Sequence, residues 1–185
     1  MVSRSKNRAA SQPPSGSAPR WASKYSIHDD PPINDGKRLG KSRLRFDIQI
    51  ERTGIGKHPK YGFEAKRLSG SDFGVSKYLD DEGLGAFVSA AYAAEEIEAG
   101  MIGYVQTDSE AEWNTKIEEG MKARKTSLKF CKDGEWRLEP VVQGLQFCFR
   151  TGHKRPSIGQ DIIIYHLMLL FRGQTLNTKR KLSLK

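Results

Sequence analysis

Cysteine is scarce: only Cys131 and Cys148 occur in 185 residues, neither at paired spacing with histidine. That excludes a disulfide framework, offers no zinc-ligand pattern, and makes a reducing, cytoplasmic compartment the natural expectation. Long apolar runs are also missing. The longest, Ile162 to Phe171, has Tyr165 and His166 inside it and is too short to cross a bilayer as a helix, so a soluble chain with no membrane partner is expected. Internal repeats are absent. The stretch Gly54-Ile55-Gly56-Lys57 lacks both the spacing and the Ser/Thr of a phosphate-binding nucleotide loop, so nucleotide hydrolysis is not indicated.

Acid is missing where base is plentiful. No Asp or Glu precedes Asp29, and the Ser-, Pro- and Arg-rich stretch 1–36 reads as a disordered basic tail. Its prolines weaken the amphipathic helix of a transit peptide. Residues 37–174 have room for one α/β domain, and 175–185 read as a second basic tail. The formal charge of +9 is uneven: residues 1–45 hold ten Lys/Arg against three acids, residues 150–185 hold eight against one, and the middle is net negative. Basic ends around an acidic centre suit a protein that grips phosphates at its periphery and holds a cation centrally. Ribosomal and membrane-surface proteins share that balance.

The acidic centre carries the most informative pattern. Arg45 to Glu51 alternates so that Phe46, Ile48 and Ile50 point one way and Asp47, Gln49 and Glu51 the other. Tyr61 to Leu68 sets Phe63 and Ala65 against Glu64 and Lys66, and the turn formers between these two strands predict an antiparallel hairpin. Asp47, Glu64 and Lys66 then share one face. Two converging carboxylates supply hard oxygen ligands suited to Mg²⁺ or Mn²⁺, and a lysine two residues from one of them can orient or deprotonate an attacking water. The alternative is a solvent-facing charged strand edge. Asp35-Gly36-Lys37 is a second acid-x-Lys triplet, but it lies in a Pro/Gly loop without alternation.

Asp47 followed by Glu64-Ala65-Lys66 resembles the signature of the PD-(D/E)xK nuclease superfamily, the restriction endonuclease-like enzymes, and Phe63 to Leu68 looks like the metal-site strand of its bacterial members. The resemblance, over roughly residues 37–170, implies that Asp47 and Glu64 ligate Mg²⁺, that the Ala65 carbonyl assists, and that Lys66 handles the water. It implies a genome-defence role. The family usually has a helix before the first strand, often carrying a further acid. Here only a tail and the Pro31-Pro32 loop precede Asp47, so that helix is irregular, is supplied by another subunit of a homo-oligomer or partner complex, or has been lost. Glu51 is a candidate extra acid.

Downstream, Lys77 to Ala99 reads as one helix opened by Asp80, Asp81 and Glu82 and stopped by Gly100, followed by a buried strand over Met101 to Gln106. That order, hairpin, helix, strand, matches the core of the resembled family. Asp108 or Ser109 then caps a helix running to about Lys125, whose Trp113, Ile117 and Met121 are expected to pack in the core. Strands over Leu145 to Arg150 and Ile162 to Phe171 flank a loop, Thr151 to Pro156, in which His153, Lys154 and Arg155 are candidate phosphate contacts. Lys57 and His58 in the hairpin turn are further candidates. His166, inside an apolar strand, reads as a satisfied core histidine. The expected whole is a restriction endonuclease-like α/β domain, a central mixed sheet flanked by helices, acting as a metal-dependent endonuclease on DNA. An RNA nuclease with the same centre, and a nucleic-acid-binding or scaffold protein without catalysis, are the other two readings.

Overall fold

The alternation of small and bulky apolar residues with polar ones drives this chain into strands, and the strands form one mixed sheet. A computed structural model describes residues 19, 22–33, 43–54, 58–70, 74–141 and 143–171. Most of the expected tails, the Asp35-Gly36-Lys37 triplet and Lys57 lie outside the described residues. Strands β1 (Tyr25–Asp29), β2 (Ile48–Arg52), β3 (Lys60–Leu68), β4 (Glu98–Val105), β5 (Arg137–Leu138), β6 (Cys148–His153) and β7 (Ile162–Leu170) make a 7-stranded sheet in the order β1-β2-β3-β4-β7-β6-β5. The β1-β2-β3 meander is antiparallel, β3-β4 and β4-β7 are parallel, and β7-β6-β5 are antiparallel. The expected mixed sheet with helices is therefore the observed architecture, and the predicted hairpin is β2-β3.

Several local expectations are corrected. Strand β1 falls in the stretch expected to be tail: Ile27 pairs with Ile50, so the meander gains a strand whose alternation is too short to stand out from the surrounding polar sequence. The single helix over 77–99 is two short ones, α1 (Val75–Leu79) and α2 (Leu84–Val88). Asp80 lies between them, its Oδ1 accepting from the Glu82 N–H at 3.0 Å, and a Cβ on Gly83 would sit 2.4 Å from the Tyr78 carbonyl oxygen, so the backbone turns where only glycine fits. Gly100 stops nothing, because it lies inside β4.

The third helix, α3 (Glu110–Ala123), is capped by Ser109, whose hydroxyl accepts from the Glu112 N–H at 3.2 Å while the Glu112 carboxylate accepts from the Ser109 N–H at 2.8 Å. A short α4 (Lys125–Leu128) follows. Trp113, Ile117 and Met121 are buried as expected, each gaining about 2 kcal/mol from burial. They join Tyr78, Leu79, Leu84 and Phe87 over Leu68, Met101, Val105, Ile164 and Met168 of the sheet. By strand alternation these sheet residues share the face that carries Glu64 and Lys66. All four helices contribute buried side chains to this one cluster, so they cover a single face of the sheet.

Candidate metal centre

Asp47 ends up beside the Glu64 triplet through a break in the strand, not through regular pairing. The β2-β3 register sets Ile48 opposite Phe63. Asp47 stands one residue before β2, at a bend, and its Oδ2 accepts from the Ala65 backbone N–H at 2.6 Å. The bend also reverses Phe46. Instead of sharing the face of Ile48 and Ile50, its ring lies over Gly62, where a Cβ would sit 2.3 Å from it, and packs on Phe87 and Tyr92. Gly62 is two residues from Glu64, so this aromatic wall stands next to the Glu64 side chain.

The wall has an electrostatic consequence. Glu64 is 6% exposed, and Lys66 Nζ donates to its Oε1 at 2.7 Å. Burial pushes the Glu64 carboxyl from 4.5 up to about 7; the Lys66 hydrogen bond and charge oppose that rise, and the charges of Asp47 and, less strongly, Glu82 add to it. Glu82 was read only as a helix-start acid. From the turn between α1 and α2 its charge is near enough to Glu64 to add slightly to the rise of that carboxyl, and no sequence spacing signals this.

The arrangement joins one buried carboxylate, one exposed carboxylate against the adjoining peptide, and one partly buried ammonium. Among the described residues Lys66 pairs with Glu64 alone, the nearby Asp47 charge adds to the rise of the Glu64 carboxyl to about 7, and a hard divalent cation would relieve that concentration of negative charge. The donors are carboxylate and carbonyl oxygens, so Asp47, Glu64 and Ala65 fit Mg²⁺ or Mn²⁺. Among the described residues no three of His, Cys, Asp and Glu gather closely enough to hold a metal ion unaided. Glu51 does not join the centre: it lies along β2, 3.9 Å from Lys60 and 4.0 Å from His28.

The remaining candidates are dispersed. His58 packs on Gly54 in the hairpin turn, at the opposite end of the hairpin from Asp47. Lys154 is exposed. Thr151, Gly152 and His153 belong to β6, not to a loop, and His153 and Arg155 are fully buried. Arg155 donates to the carbonyls of Ala93 at 2.5 Å, Glu96 at 2.6 Å and Gln160 at 3.0 Å, which ties the irregular chain before β4 to the chain before β7. With its donors committed to backbone oxygens in the interior, it is not placed to contact phosphate.

His153 belongs to a buried chain of hydrogen bonds whose protons are fixed by one carbonyl. Leu128 oxygen only accepts, so His153 Nδ1 donates to it at 2.6 Å, and His153 Nε2 accepts from the Thr151 hydroxyl at 2.7 Å. Thr151 Oγ1 then accepts from His166 Nε2 at 2.8 Å, and His166 Nδ1 accepts from the Tyr78 hydroxyl at 2.9 Å. His166 is the satisfied core histidine expected. Burial lowers His153 to about 4, and burial together with His153 lowers His166 well below its ordinary value.

Comparison with protein-family models, curated proteins and solved structures finds no match to this chain. Among the described residues no helix is long and apolar enough to cross a membrane.

Proposed function

We propose that the chain is a metal-dependent endonuclease of the PD-(D/E)xK type that hydrolyses phosphodiester bonds, with DNA as the favoured substrate and genome defence as its setting. The observation that carries this reading is that Asp47, at the bend before β2, bonds the Ala65 N–H between Glu64 and Lys66, which are themselves paired at 2.7 Å on the helix-covered face. Asp47 and Glu64, with the Ala65 carbonyl, would hold Mg²⁺, which when bound supplies positive charge to the scissile phosphate and acidifies water.

The chain's own residues do the rest. The aromatic wall of Phe46, Phe87 and Tyr92 excludes water from the Glu64 side and strengthens its electrostatics. Lys66, anchored 2.7 Å from Glu64, has no other hydrogen-bond partner among the described residues, and its remaining hydrogens would orient a water or a phosphate oxygen. Asp47 is held by the Ala65 N–H through one oxygen, which leaves its second oxygen as the one that would ligate the cation.

Incubation of plasmid with protein and Mg²⁺, beside Glu64→Ala and Lys66→Ala, tests this reading. Each substitution is expected to slow cutting by about 10²-fold or more, and undiminished cutting by both overturns the site. Parallel incubation with RNA separates the two nuclease readings. One feature favours binding without cleavage: Glu64 and Lys66 satisfy each other as an ordinary ion pair would. Calorimetry with Mn²⁺ distinguishes the two, since only the nuclease has a site that vanishes in Asp47→Ala.

A further inference from the structure

The face of the sheet turned away from the helices carries a row of side chains that the metal centre does not use. Successive registers align Ile48, Phe63, Gly100, Tyr165, Arg150 and Arg137 as direct neighbours from β2 to β5. Strands lie about 4.8 Å apart, so the row has two aromatic residues whose backbones lie roughly 10 Å apart, with two arginines beyond them.

Three details set its chemistry. The Phe63 side chain reaches across Gly100, where a Cβ would sit 2.2 Å from its ring, and only a glycine leaves that space; Phe63 itself is half-buried, so part of its surface stays accessible. Arg137 and Arg150 are like charges directly opposite each other, an unfavourable pairing in isolation. Arg137 reaches Glu139 at 3.5 Å, whereas half-buried Arg150 has no hydrogen-bond or ion-pair partner among the described residues. The arginine end opens into a cleft of about 360 Å³, where Lys132 joins Arg137 and Arg150 against Asp133 and Asp161. Tyr165 itself is held only weakly, its hydroxyl 3.5 Å from Glu98.

We infer that this face binds single-stranded nucleic acid, with bases stacked on Phe63 and Tyr165 and a backbone phosphate held by Arg150 and Arg137 at the mouth of the cleft. Aromatic rings on the sheet face beside the Arg150 guanidinium, which has no partner among the described residues, and the exposed Arg137 suit unstacked bases and their phosphates, which a duplex does not offer together. The surface lies on the opposite side of the sheet from Glu64, so it serves as a docking site for a strand and does not depend on cleavage.

The test is fluorescence anisotropy of the full chain with a labelled oligothymidylate and the same length of duplex, in chelator so that the metal centre is silent. Single strand is expected to bind more tightly than duplex. Tyr165→Leu should weaken it at least fivefold, and Arg150→Gln should flatten the salt dependence by about 0.7 in log Kd per log salt, one phosphate contact. Arg137→Gln, at an exposed position, provides the same reading should Tyr165→Leu fail to fold. Equal affinity for duplex, or unchanged single-strand binding in folded variants, overturns the inference. So does a dimer in light scattering that Tyr165→Leu dissociates while oligonucleotide binding is absent, because the face would then be an interface between copies.

Discussion

Replacing Thr151 by Val deletes one hydroxyl at nearly constant volume in the middle of the buried chain that runs from Tyr78 to the Leu128 carbonyl. His166 Nε2–H loses its acceptor and His153 Nε2 loses its donor, both in a region where Thr151 is 1% exposed and both rings are fully buried. An orphaned buried polar group costs about 1–3 kcal/mol, so the substitution should destabilise by about 2–6 kcal/mol. At an exposed loop position, which the sequence suggested, the same change would stay within about 0.5 kcal/mol. Urea unfolding at pH 7.5 measures the difference. Tyr78→Phe, which orphans only His166 Nδ1, should cost about 1–3 kcal/mol in the same assay. Imidazole ¹⁵N shifts should place the His153 proton on Nδ1 and the His166 proton on Nε2. A loss below about 1 kcal/mol for Thr151→Val, or the opposite tautomers, would refute the proton order derived from the Leu128 carbonyl.

Other outcomes follow from the same geometry. Folded His153 binds fewer protons than the unfolded chain between about 6.5 and 4, so its contribution is complete above pH 6.5 and disappears as pH falls toward 4, about 3 kcal/mol in all, with His166 adding in the same direction. Stability measured by urea midpoint should therefore drop on acidification. Glu64 has the opposite sign: its raised carboxyl stabilises fully below pH 4.5, and that contribution is lost as pH rises to about 7. Glu64→Gln should consequently gain up to about 3 kcal/mol relative to the parent at pH 7.5 and little at pH 4.5 while abolishing cleavage; equal urea midpoints at both pH values would contradict the burial argument. Mn²⁺ affinity by calorimetry should climb with pH up to about 7 and then level, because proton and metal compete for Glu64. Arg155→Met should destabilise by about 2–4 kcal/mol in thermal or urea unfolding by removing three hydrogen bonds to carbonyls, of which those of Ala93 and Glu96 keep a second donor, and should leave the salt dependence of nucleic-acid binding unchanged.

Period-two alternation made the hairpin and the shared face of Glu64 and Lys66 legible, because side-chain direction in a strand follows from local backbone geometry alone. The capping box at Ser109 and the buried spacing of Trp113, Ile117 and Met121 were legible for the same reason, each being decided within a turn or two of helix. What sequence could not decide were the positions where a polar group meets a distant partner. Thr151, His153 and Arg155 carry the composition of a solvated basic turn, and only the Leu128, Ala93 and Glu96 carbonyls, 25, 62 and 59 residues away, make their burial favourable. Phe46 likewise followed its alternation on paper and left it in the fold, since the space over Gly62 and the rings of Phe87 and Tyr92 offered more burial than the face of Ile48.

By itself, then, the sequence determined the β2-β3 hairpin, the buried strands β4 and β7, the carboxylate and lysine candidates and the excess of positive charge, but not β1, β5 or the extent of β6. The tertiary structure alone decided which charges are dry, which acid feels another's field, and that Phe63, Tyr165, Arg150 and Arg137, separated by up to 102 positions, form one row. The physical reason is range: backbone sterics and side-chain alternation act over a few residues, whereas desolvation and charge proximity depend on what the folded chain brings within a few ångströms.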